Sequence, residues 1–259
     1  MARSPETGRL LTADGRWFSA AWLHSKAVVP FATPFGADDQ VLERFRDGAR
    51  AVGAASVFVF PLGDERPRVV NVDVDPLGVR GEVLLAVPNR DGALLITDAR
   101  YSLLAGTGEF LAAAVPWGVD RARAHFGRDA RRLAEVYPDL LEVATRLPPA
   151  RPVLASPSEV EPGSALAEQV RLMESFAEGS IAAPDFARAW LTARRRRPRP
   201  EELLDEPFER LLAEVFFLLE DYVIDPAPRD PGDLTDEDLL HGVQAVVQRL
   251  RLLEAPDRG

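Results

Sequence analysis

At 259 residues, with 46% hydrophobic and 28% charged side chains, the chain can bury a core and suits two ordinary domains better than one. Its 41 acidic and 31 basic residues leave a net charge of −10, which argues against a general binder of phosphate backbones and fits a basic partner. The absence of cysteine excludes disulfides, thiolate zinc sites and thiol nucleophiles, and no apolar run has the length of a signal peptide or a membrane span, so a cytoplasmic protein without membrane contact is expected.

Along the first half, Val41, Leu42, Phe45, Ala49 and Val52 recur at helical spacing and predict a helix over 41–55, followed by a strand at Ser56–Phe60. Val69–Val74 alternates polar and apolar residues, and Val83–Val87 follows a Pro-Leu-Gly turn, which predicts a hairpin between them. Ala93–Thr97 and Tyr101–Ala105 form a second candidate pair. Helices are expected at Thr107–Ala114 and Val119–Leu147, the latter broken at Pro138. Strands followed by helices indicate an α+β domain over 1–147. The stretch 148–163 carries prolines and no sustained period, and is expected to be a linker.

The remainder, 164–259, shows only helical periods. Leu166, Val170, Met173, Phe176 and Ala177 line a first helix that stops at Gly179, and Pro184 opens a second carrying Phe186, Ala189, Trp190 and Ala193. Leu204, Phe208, Leu211, Val215, Leu218 and Tyr222 stripe a third helix that ends near Val223, with Phe217 at the edge of the stripe. Thr235 is the expected N-cap of a fourth, which buries Leu239, Val243, Val246, Leu250 and Leu253. Four amphipathic helices on short connections describe an all-α, four-helix antiparallel bundle.

Catalytic signals are poor. His24, His125 and His241 belong to no metal-ligand pattern, there is no nucleophile elbow, and Gly106 and Gly108 lack the lysine of a phosphate loop, so neither metal nor cofactor is expected. The basic run at Arg194–Arg197 and Arg199 reads as cations at a helix C-terminus before a proline stop, in preference to a phosphate patch. The informative feature is acid density: between Glu201 and Asp238 fourteen carboxylates face two arginines, a net −12 over 38 residues. The order is not that of a calcium loop, which leaves a solvated face or a surface that attracts a basic protein.

Two phrases, MESFAEGSIAAPDFARAWLTARR at Met173–Arg195 and the run Leu211–Leu250, carry a spacing pattern: Phe176, Gly179, Ile181, Phe186, Trp190, Asp221, Tyr222, Asp225, Pro226, Leu234, Glu237 and Leu239. In this pattern residues 165–254 resemble the self-protective immunity proteins of the colicin D type. The resemblance implies a helical domain that occupies the basic active-site cleft of a tRNA-cleaving toxin, without catalysis and without direct contact to nucleic acid. It implies Glu220, Asp221, Asp225 and Glu237 as partner contacts; Asp230, Asp233 and Asp236 join them on charge alone. Tyr222 is open between an aromatic anchor and a core residue. The alternative is a ligand-binding protein or enzyme housed in the N-terminal domain, with the bundle as a regulatory module; a deep pocket with convergent polar groups within residues 17–147 would favour it.

Overall fold

The computed structural model describes residues 7–33, 39–63, 66–73, 79, 81–196, 203–225 and 233–254. The chain divides into two compact units after Ala150. An α+β unit comes first and a helical unit follows.

The first unit contains α1 (Thr7–Leu10), β1 (Ala27–Ala32), α2 (Asp39–Ala51), β2 (Ser56–Pro61), β3 (Arg68–Asn71), β4 (Val83–Ala86), β5 (Gly92–Ile96), β6 (Tyr101–Gly106), α3 (Gly108–Ala114), α4 (Val119–Arg132) and α5 (Asp139–Arg146). The strands form one antiparallel sheet in the order β1-β6-β5-β4-β2-β3. The hairpin β5–β6 matches the expected pair, with Ala93 opposite Ala105 and Leu95 opposite Leu103. The hairpin expected between Val69–Val74 and Val83–Val87 does not form: β2 lies between them and pairs with both β3 and β4. Burial explains the order. All four residues of β4 are buried, so it needs a neighbour on each side, whereas β3 buries only Val70 and can stand at an edge.

Both faces of the sheet are covered. On one, Val29, Val59, Leu85, Leu94 and Leu104 pack with Val41 and Phe45 of α2 and Phe110 and Leu111 of α3. On the other, Leu84, Leu95, Leu103 and Ala105 pack with Phe126 and Ala130 of α4, Leu140 and Val143 of α5, and Leu10, Phe18 and Trp22. Double coverage is why β4, β5 and β6 read as continuous apolar runs without alternation. Phe110 is fully buried, and its ring lies against three glycines: a Cβ would come within 2.7 Å of it at Gly48, 2.2 Å at Gly92 and 2.4 Å at Gly106. Gly106 therefore serves ring packing, and Thr107 caps α3 by accepting from the Phe110 N–H. The helix expected over Val119–Leu147 with a break at Pro138 stops earlier than that: α4 ends at Arg132, and Pro138 is the residue before α5.

The second unit contains β7 (Val153–Leu154), a 3-10 turn at Pro157–Glu159, α6 (Ala165–Ala177), α7 (Ala183–Arg195), β8 (Leu203–Leu204), α8 (Glu206–Glu220) and α9 (Asp236–Glu254). The proline-rich stretch contributes to this unit: β7 pairs in parallel with β8, and the Asp205 N–H donates to the Leu154 carbonyl at 2.8 Å. One core joins the four helices, built on Met173, Phe176, Phe186, Trp190, Phe208, Val215, Leu239, Val243 and Val246. Helix α6 ends with Gly179 at φ +75°, a conformation that glycine adopts without a Cβ penalty. Phe176 then stacks on Phe186 across the α6–α7 turn at 4.4 Å. Within α7, Ala187 is buried in the place expected for Ala189.

Candidate functional site

Helices α8 and α9 run antiparallel, and contacts along their length fix the register. Glu214 pairs with Arg249, Leu218 meets the backbone at Gly242 so closely that a Cβ there would lie 2.7 Å from it, and the Tyr222 hydroxyl donates to Asp236 at 2.9 Å. The C-terminus of α8 and the N-terminus of α9 consequently share one end of the unit, and the Leu234 N–H reaches the Asp221 carbonyl at 3.4 Å. This topology brings Glu220, Asp221, Asp236 and Glu237 to the same end, all exposed; Asp225 and Asp233 flank the connection, the first exposed and the second half-buried. Asp230 lies outside the described residues.

Neighbouring groups differ in how they are balanced. Glu206 pairs with Arg210 at 2.9 Å, and Glu214 with Arg249. Glu220, Asp221 and Glu237 form no ion pair among the described residues. Tyr222 is a core residue, 3% exposed, with only its hydroxyl reaching the acidic end. That hydroxyl's bond to Asp236 is not readable from helical spacing, because it joins the first turn of α9 to a residue just beyond the end of α8.

The start of α9 explains another acid. Thr235 and Asp238 form a reciprocal cap: the Asp238 N–H donates to Thr235 Oγ1 at 3.1 Å, while the Thr235 N–H and hydroxyl donate to the Asp238 carboxylate at 3.1 and 2.6 Å. The Thr235 hydroxyl, followed by its amide, holds the Asp238 carboxyl below the ordinary aspartate value. A depressed carboxylate contributes stability above its unfolded pKa and loses it as pH falls through the folded one. Thr235→Ala is expected to cost about 1 kcal/mol at neutral pH and to flatten the acid limb of stability, read by urea unfolding between pH 7 and 2.

The basic run divides. Arg194 and Arg195 lie in the last turn of α7, where cations suit the dipole. Arg194 also lies over the rings of Trp190 and Phe216, at 5.4 and 4.9 Å, and burial lowers its pKa while Glu209 opposes the shift. Arg197 and Arg199 lie outside the described residues.

In the N-terminal unit, a groove of about 560 Å3 beside α3 is lined by Ser25, Lys26, Leu111, Val115, Pro116 and neighbouring glycines. A smaller one of about 190 Å3 is lined by Phe58, Phe60, Val87, Arg9 and Arg90. Among the described residues, no carboxylate or imidazole lines either groove. Among the described residues, no group of three or more His, Asp or Glu is placed to hold a metal ion, and no helix is long and apolar enough to cross a membrane.

Comparison with curated proteins and with solved structures returned no match. The family model for bacterial self-protective colicin-like immunity matches residues 165–250, which run from the first residue of α6 to Leu250 in α9 and leave the N-terminal unit outside. In sequence, the helical unit is therefore similar to bacterial self-protective, colicin-like immunity domains.

Proposed function

We propose that the protein is an immunity protein, and that its acidic helical end occludes the basic active-site cleft of a tRNA-cleaving toxin. The observation that carries this reading is the placement of Glu220 and Asp221. They close α8 at its negative end, where the helix dipole favours cations, and the last turn of α8 contains no basic residue. Fold stability alone would place lysine or arginine there, so the two carboxylates serve something outside the fold.

A toxin that cuts RNA must hold phosphates with Lys and Arg. Carboxylates presented along one end of a rigid helical hairpin complement such a cleft, steer the encounter and compete for the same cations. Asp221, Asp225, Asp236 and Glu237 extend the acidic end from Glu220 across the start of α9; Asp233 and Asp230 belong to the connection between the helices. The immunity-family match over 165–250 supports the same partner class. The chain itself performs no chemistry in this reading and needs no cofactor.

Co-expression tests it. The product of the neighbouring gene is expected to kill cells that lack the full chain and to be tolerated by cells that produce it; death in both cases, or in neither, refutes the reading. Glu220→Lys is expected to separate binding from folding. It should raise stability by about 0.3–1 kcal/mol, by matching the dipole, while weakening protection.

A further inference from the structure

We propose that Phe217 is the apolar anchor of the partner surface, seating its ring in an apolar recess bordered by Lys and Arg on the basic partner. The inference rests on the proposed function and adds the residue that would hold the complex after charge has brought it together. Phe217 is 59% exposed on α8, on the side away from the buried Phe208, Leu211, Leu212, Val215 and Leu219. Its aromatic neighbour among the described residues is Phe216, with ring centroids 6.0 Å apart and planes tilted by 60°. A phenylalanine there adds nothing to the core and is a poorer helix former than Ala, Leu or Glu.

Its surroundings point to the occupant. Residues three and four apart share a helix face, so Glu214 precedes the ring and Glu220 and Asp221 follow it. Glu214 is held by Arg249, whereas Glu220 and Asp221 are not ion-paired among the described residues. An apolar ring bounded by exposed carboxylates repels nucleic acid and acidic surfaces. It complements a protein surface whose cations border an apolar recess. Aromatic side chains are enriched at the centres of interfaces, where one well-seated anchor carries much of the affinity and surrounding charges set the rate of approach.

The test measures binding kinetics of the full chain with a cleavage-inactive form of the toxin that the co-expression test identifies, at several salt concentrations. Phe217→Ala is expected to raise the dissociation rate about 30-fold, leaving the association rate and its salt dependence within twofold, with Phe217→Leu intermediate. The thermal midpoint of Phe217→Ala should stay within about 2 °C of wild type. An unchanged dissociation rate overturns the anchor alone. A large fall in the midpoint also overturns it, because the ring would then serve the fold. No binding by the wild-type chain overturns both the anchor and the function on which it rests.

Discussion

Reversing Asp221 and Asp225 together to arginine is expected to abolish protection against the toxin while the full chain keeps its helical spectrum and melts within a few degrees of wild type. The stability half follows from position. Asp221 caps α8 through its backbone, its N–H donating to the Phe217 carbonyl at 3.2 Å, and this bond does not depend on the side chain. Both side chains are exposed, and surface substitutions usually change stability by under ~0.5 kcal/mol. The binding half follows from charge: two reversals change the local charge by four units and set cations against cations, which costs several kcal/mol across an interface and slows a steered encounter roughly 10- to 1,000-fold. Protection at wild-type level would remove these two residues from the contact surface. A collapse of the helical spectrum would instead assign them to the fold.

The second large effect lies in the N-terminal unit. Gly92→Ala would place a Cβ about 2.2 Å from the Phe110 ring, a distance that real contacts do not reach. The ring cannot retreat easily, since Gly48 and Gly106 approach it as well and Phe45 lies at 5.9 Å. Overpacking of this kind costs ~1–3 kcal/mol, and the upper part of that range is expected here, with a fall of about 5–10 °C in the thermal midpoint. Phe110→Ala alone is expected to cost about 3–5 kcal/mol through the cavity it leaves. The double variant should be less destabilised than the sum of the two, because the alanine methyl then enters the vacated space. Strict additivity, measured by urea unfolding of all four proteins, would show that the glycine and the ring do not interact.

The two halves of the chain differ in how much of their structure could be read from residues alone. In the helical unit, period and caps agree: the Leu166–Phe176 stripe ends at Gly179, Pro184 starts α7, and Thr235 caps α9. Each of these signals is local. In the sheet the decisive information is non-local. Strand β1, Ala27–Ala32, is not legible locally because its partner β6 lies some seventy residues later, and sequence order pairs β3 with β4 because it hides β2 between them. The cradle of Phe110 draws glycines from α2, β5 and β6, so no window of sequence contains it.

The acidic end shows the same division. Carboxylate density along 201–238 was visible in composition, and an antiparallel hairpin of helices places the end of α8 beside the start of α9. Composition did not distinguish acids with structural duties from the rest. Asp238 closes a cap, Asp236 accepts from Tyr222, and Glu206 and Glu214 are held by arginines; among the described residues, Glu220, Asp221 and Glu237 have none of these roles. The exposure of Phe217 was legible from its position in the stripe, and its carboxylate neighbours follow from helical spacing.

Occlusion of an RNA-binding cleft is tested most directly by competition. A fluorescent tRNA is bound to the cleavage-inactive toxin, the full chain is titrated in, and the bound RNA is followed at low and moderate salt. Stoichiometric displacement of the tRNA is expected, with an apparent affinity that weakens steeply as salt rises and is lost in the Asp221→Arg, Asp225→Arg protein. A ternary complex in which toxin holds tRNA and this chain together would contradict it.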